Sequence, residues 1–126
     1  MISDNVDVVT IGNAIVDIVN PIDFNFLKEN ILVPGSMNLV DEKKSKKLLS
    51  KINPNKEIIS GGSAANTAVG ISSFGGKAAF IGKVKNDQYG NFFKKDLEYM
   101  NVYFGTEFTT DGPSTATSII SVTPDG

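Results

Sequence analysis

The sequence predicts an α/β fold in which a parallel β-sheet carries helices on its faces and adjoins a second, smaller sheet. Two observations point there. In the middle of the chain, helix and strand patterns alternate through residues 63–74, 78–82 and 87–100, the order that produces a parallel sheet. At both ends, strand patterns come in pairs, 6–11 with 15–19 and 102–109 with 115–122, which suits a more antiparallel layer.

Taken in order, residues 6–11 are apolar and β-branched apart from Asp7 and Thr10, and Gly12-Asn13 breaks the run, which suits a buried core strand ending in a turn. Ile15, Val16, Ile18 and Val19 then flank Asp17 before Asn20-Pro21, giving a short strand with one carboxylate embedded in it. A short helix is expected around 23–30, followed by a Pro34-Gly35 turn and an edge strand over 37–39. Asp41 is a candidate N-cap for a helix with Lys43, Lys44, Lys46, Lys47 and Lys51 outside and Leu48, Leu49 and Ile52 available for packing; Asn53-Pro54 ends it. With no aromatic residue interleaved, the lysines read as a solvated face rather than a nucleic-acid patch.

Gly61-Gly62 precedes a helix in which Ala65, Ala68, Val69 and Ser72 recur at helical spacing, and Gly75-Gly76 closes it. Small residues there permit close contact with a sheet. Residues 78–82 read as a buried strand, and 87–100 as an amphipathic helix with Tyr89, Phe92, Phe93, Leu97 and Met100 along its core side. The last two strands are expected to form a hairpin through Asp111-Gly112-Pro113. The sequence then stops at Pro124-Asp125-Gly126, a turn signal directly after a strand with no helix to cap it, which reads as a truncated chain or proteolytic fragment.

Composition narrows the chemistry. With 126 residues, 40% of them hydrophobic, the chain can bury one core and is too short for two ordinary domains. A formal net charge of -2 supplies no overall basic field, so neither nucleic acid nor an anionic membrane is an expected partner. No segment is long enough to span a bilayer, no apolar leader follows Met1, and there is no cysteine, all of which fit a cytoplasmic protein. The absence of histidine excludes histidine-based triads and histidine zinc sites within these residues.

The most informative segment is Gly61-Gly62-Ser63-Ala64-Ala65-Asn66. Glycines let a ligand approach backbone, a helix start offers unpaired N–H donors, and the amide of Asn66 can accept from and donate to a hydroxyl. A tight helix entry with no ligand gives the same pattern. Asp17 adds weight to the ligand reading, because a carboxylate in an apolar strand is costly unless solvated, paired or bound, and it can accept from two adjacent hydroxyls. An outward-facing position on an edge strand is its bland alternative. Asn13 stands at the carboxyl end of a strand, where open α/β sheets present ligand contacts, or is simply a turn residue.

The segment from Gly61 to Gly75, with its glycine pair, Asn66-x-Ala68 and Gly75, resembles the first signature of the ribokinase-like carbohydrate and nucleoside kinases, the PfkB family. The opening Gly12-Asn13-Ala14-Ile15-Val16-Asp17 matches too, and the order of elements agrees along essentially the whole chain. One departure stands out: Lys85 occupies the place of the signature's final glycine, ahead of Asp87 and Gly90. The resemblance implies a ribokinase-like parallel sheet flanked by helices, with core segments at about 5–13 and 42–103 and a small β-sheet lid from about 14–41 and 104–126. It implies that Asn13, Asp17, Gly61, Gly62 and Asn66 hold the hydroxyls of a sugar or nucleoside. It also implies ATP and Mg2+ for the full-length enzyme, and a lid sheet that can serve as a homodimer interface.

The family's catalytic base is an aspartate in a Gly-Ala-Gly-Asp motif near the C-terminus. No such motif occurs here, so no catalytic, ATP-binding or metal-binding residue is carried over. The expected function is therefore the substrate-binding part and lid of an ATP-dependent sugar or nucleoside kinase, inactive by itself. A non-catalytic binding or lid-mediated dimerisation module is the alternative. A dinucleotide-binding domain fails because Gly12-Asn13-Ala14 lacks the spaced glycines and helix of a Rossmann phosphate turn. The layout from Phe24 through Pro34 to Leu49 is similar to the adenosine-kinase branch, shared with several bacterial sugar kinases, and would place Met37 and Leu39 as an apolar wall for a base or ring.

Overall fold

The computed structural model describes residues 5–126; residues 1–4, which read as a polar start rather than an apolar leader, lie outside the described residues. The elements are β1 (Val8–Ile11), β2 (Ile15–Pro21), α1 (Phe24–Glu29), α2 (Glu42–Leu49), β3 (Glu57–Gly61), α3 (Ser63–Ser73), β4 (Ala78–Ile81), α4 (Gln88–Tyr99), β5 (Val102–Tyr103) and β6 (Ala116–Val122). They make two three-stranded sheets, ordered β1-β4-β5 and β3-β2-β6. The chain divides into two compact units, one to Asp17 with Ile59–Ser118, the other Ile18–Ile58 with Ile119–Gly126.

In the first unit, β1, β4 and β5 are all parallel, with Ala78 of β4 in register with both Val8 and Val102. Helix α3 packs on β1 and β4, and α4 on β5. The alanines expected to allow close approach, Ala65 and Ala68, are buried in that contact. Beneath α4, Phe80, Phe93 and Phe104 form a triangle of rings with centroids 5.5 to 5.8 Å apart. All three are buried with Val84, Leu97 and Val102. Burying each such side chain stabilises the unit by about 1.5–3 kcal/mol, and the tilted ring pairs add about 0.5–1.5 kcal/mol each.

In the second unit, Asp23 caps α1 by accepting from the N–H of Phe26 at 2.8 Å, and Asp41 caps α2 by accepting from that of Lys44 at 2.7 Å. No residue of α2 is buried, so its lysines face solvent as expected. Asn20 is almost fully buried and its side-chain oxygen accepts from the N–H of Asn53 at 3.1 Å. The same residues line a cavity of about 390 Å³ together with Asp23, Phe26 and Lys51.

Several expectations need correction. The first strand is not buried: β1 is an edge of its sheet, and Val8, Val9 and Ile11 are exposed. Residues 37–39 form no strand: both sides of β2 are occupied, by β3 and β6, and the side chains of Met37 and Leu39 are 82% and 93% exposed. The segment before the glycine pair, not assigned from sequence, is the strand β3. The hairpin between 102–109 and 115–122 does not form, because β5 pairs with β4 while β6 joins β2. Phe104 consequently belongs to the ring cluster of the parallel sheet's core and not to the second sheet. The alternation that suggested a hairpin strand there comes from the two-residue strand β5 and the buried Phe104 that follows it.

Candidate substrate site at the glycine pair

Asn13, Asp17, Gly61, Gly62 and Asn66 all fall in the first unit, and close backbone approach brings most of them together. Asp17 lies in β2, the middle strand of its sheet, which removes the edge-strand explanation for its carboxylate. Its carboxylate lies directly over Gly61: a Cβ there would stand 2.6 Å from Cγ of Asp17 and collide with Oδ2. Gly62 adopts φ 94° and ψ 134°, a conformation that essentially only glycine tolerates, and a Cβ would also strike the carbonyl oxygen of Asn13. Gly12 is held as closely, since a Cβ on it would be 2.6 Å from Cβ of Ala64. The two glycines are therefore wedged between the 13–17 segment on one side and the start of α3 on the other.

Helix α3 begins at Gly62 with no side chain capping it, so its first-turn N–H groups meet no protein carboxylate or hydroxyl. The N–H of Asn66 donates to the carbonyl of Gly62 at 2.9 Å, which fixes the first turn, while the Asn66 and Asn13 side chains are exposed. Asp17 is half-buried, and its carboxylate makes no hydrogen bond or ion pair among the described residues. Burial raises its pKa above the ordinary carboxylate value. A desolvated acceptor without a protein partner, beside a bare glycine backbone and two exposed amides, suits a ligand rich in hydroxyls.

Where Lys85 replaces a glycine, the turn is built by its neighbours. Lys85 bridges in parallel to Thr109, and its N–H donates to Oγ1 of Thr115 at 3.0 Å. Asp87 caps α4 by accepting from the N–H of Gly90 at 2.8 Å, and also accepts from the N–H and hydroxyl of Thr115 at 2.9 and 2.8 Å. A Cβ on Gly90 would collide with the carbonyl oxygen of Lys85, so Asp87 and Gly90 together set this path.

A model of the pfkB family carbohydrate kinases matches residues 12–126. The chain belongs to the pfkB family. Adenosine kinase from Sinorhizobium meliloti superposes with a TM-score of 0.82 at 47% identity, over 97% of this chain and 37% of that one. A probable sugar kinase from Rhizobium etli CFN 42 superposes with a TM-score of 0.82 at 43% identity, with the same two shares. A probable fructokinase-6 of Arabidopsis thaliana is 39% identical over 66 residues, 52% of this chain and 17% of that protein. This pfkB-family chain thus corresponds to little more than a third of the solved kinases' length, and the ribokinase-like α/β fold inferred from its motifs is the one it has.

Among the described residues no three His, Cys, Asp or Glu side chains converge on a point that could hold a metal ion. Among the described residues, no helix is long and apolar enough to cross a membrane.

One residue beside the site escaped the sequence reading. Asp96, on α4, accepts from the N–H of Ser60 at 2.8 Å, one residue before the glycine pair. The available signal was its place one turn after Phe92 and Phe93, where a carboxylate flanks the helix's apolar stripe.

Proposed function

We propose that this chain supplies the acceptor-binding part of an ATP-dependent kinase acting on a sugar or nucleoside hydroxyl. The observation that carries the proposal is the half-buried, unpartnered carboxylate of Asp17 lying over Gly61. Two vicinal hydroxyls would donate to that carboxylate, while the exposed amides of Asn13 and Asn66 and the uncapped N–H groups of α3 bind the rest of the polyol. Holding the acceptor hydroxyl in one orientation is the larger part of what a phosphoryl-transfer enzyme supplies. ATP provides the phosphoryl group in this reading, with Mg2+ as its counter-ion, and the base that takes the hydroxyl proton lies outside these residues.

Both a ribose and a ketose present the hydroxyls this site would grip, and the relatives include an adenosine kinase and a fructokinase. A panel of adenosine, ribose and fructose, with labelled ATP and the full-length enzyme, tests the reading. Transfer to one of the three is expected, and the 126 residues alone should bind that compound without phosphorylating it. Absence of transfer and of binding across the panel would contradict it. Self-association of the same sample in sedimentation, through the exposed Ile31, Val33, Met37 and Leu39, would then favour lid-mediated assembly instead.

A further inference from the structure

We infer that Asp96 is a positioning residue for the glycine pair: it fixes the end of β3 from α4, and so sets where Gly61 and Gly62 present their backbone. The inference rests on the acceptor-binding reading of those glycines. β3 is an edge strand of its sheet, and the N–H of Ser60 is spent on a carboxylate from another element, not on a strand. Ser60 itself is only 5% exposed and its hydroxyl has no hydrogen-bond partner, so that side chain does not anchor the strand end. From Ser60 onward the path has little freedom. Gly61 abuts the carboxylate of Asp17, and Gly62 abuts the carbonyl of Asn13 at a positive φ. The bond to Asp96 therefore holds the near end of a two-residue span whose far end is the first turn of α3. A carboxylate acceptor makes that hold stronger than a neutral one would.

The test uses the 126-residue chain labelled with ¹⁵N, as wild type, Asp96→Ala and Asp96→Asn. In the wild type, the Ser60 amide should be protected from hydrogen exchange. Asp96→Ala should move the amide resonances of Ser60, Gly61 and Gly62 and speed exchange at Ser60 by about tenfold or more, the loss of one charge-assisted bond. It should weaken binding of the panel compound by about tenfold as well, a change of about 1.4 kcal/mol. Asp96→Asn, which keeps a side-chain oxygen, should restore most of both. If the wild type binds none of the panel compounds, the functional reading fails, and the Ser60 to Gly62 amides still decide the role of Asp96. Wild-type resonances at Gly61 and Gly62 in Asp96→Ala would overturn the inference. So would a Ser60 amide that exchanges freely in the wild type, or exchange that rises equally along α3 and α4. Should Asp96→Ala fail to fold, the wild-type exchange and Asp96→Asn decide.

Discussion

Replacing Asp17 by Asn is expected to lower kcat/KM of the full-length enzyme for its sugar or nucleoside by at least about tenfold, without lowering the melting temperature. The binding loss follows from charge-assisted hydrogen bonds, each worth about 1.5–3 kcal/mol, of which Asn keeps one oxygen and no charge. The stability effect has the opposite sign. Burial raises the folded-state pKa of Asp17, so its favourable contribution is present below the unfolded pKa and is lost as pH rises through the folded value. At neutral pH the carboxylate is a partly desolvated charge in the unliganded protein. A neutral amide of the same shape removes that desolvation cost, so the melting temperature should stay level or rise. A surface carboxylate with no ligand would show near-wild-type kinetics, and a structural one would show a drop in melting temperature; either result removes Asp17 from the site.

Asp87→Ala should cost about 3 kcal/mol of stability, because it strips the N-cap of α4 and leaves the N–H groups of Gly90 and Thr115 without their acceptor. For a chain of this size that corresponds to a fall in melting temperature of roughly 10 °C. Burial by itself would raise the Asp87 pKa. The N–H groups of Thr115 and Gly90, the Thr115 hydroxyl and the charge of Lys85 outweigh it and hold the carboxyl below its usual value. Its contribution is thus present above the unfolded pKa and is lost as pH falls through the folded one. The wild type should lose stability below about pH 4, and Asp87→Ala should show a flatter acid limb. Thermal melts of both proteins across that range check this, and superimposable curves would contradict it.

Local signals in the sequence carried much of this architecture. The glycine punctuation at 61–62 and 75–76 marked both ends of α3, and the spacing of Phe93 and Leu97 marked the buried side of α4. The candidate site residues drew notice for the same reason: a carboxylate within β-branched neighbours and a glycine pair before a helix are costly patterns that call for a cause. Pairing partners were not legible. Whether 102–109 joins a hairpin or enters a parallel sheet depends on contacts distant in sequence, and Phe104 discloses its place only once Phe80 and Phe93 are seen beside it. β3 was missed because Glu57-Ile58-Ile59 is short and follows a turn, and it is stabilised by β2 rather than by its own propensity. Asp96 was hidden by the same kind of distance, since its partner lies 36 residues earlier.

Binding of the acceptor at the glycine pair and Asp17 is open to direct test by mapping backbone amide shifts during titration with adenosine and with fructose. Saturable shifts are expected for one of the two compounds at Asn13, Asp17, Gly61, Gly62 and Asn66, and are expected to be absent in Asp17→Asn. Shifts confined to the cavity lined by Asn20, Asp23, Phe26 and Asn53, or no saturable shift with either compound, would contradict it.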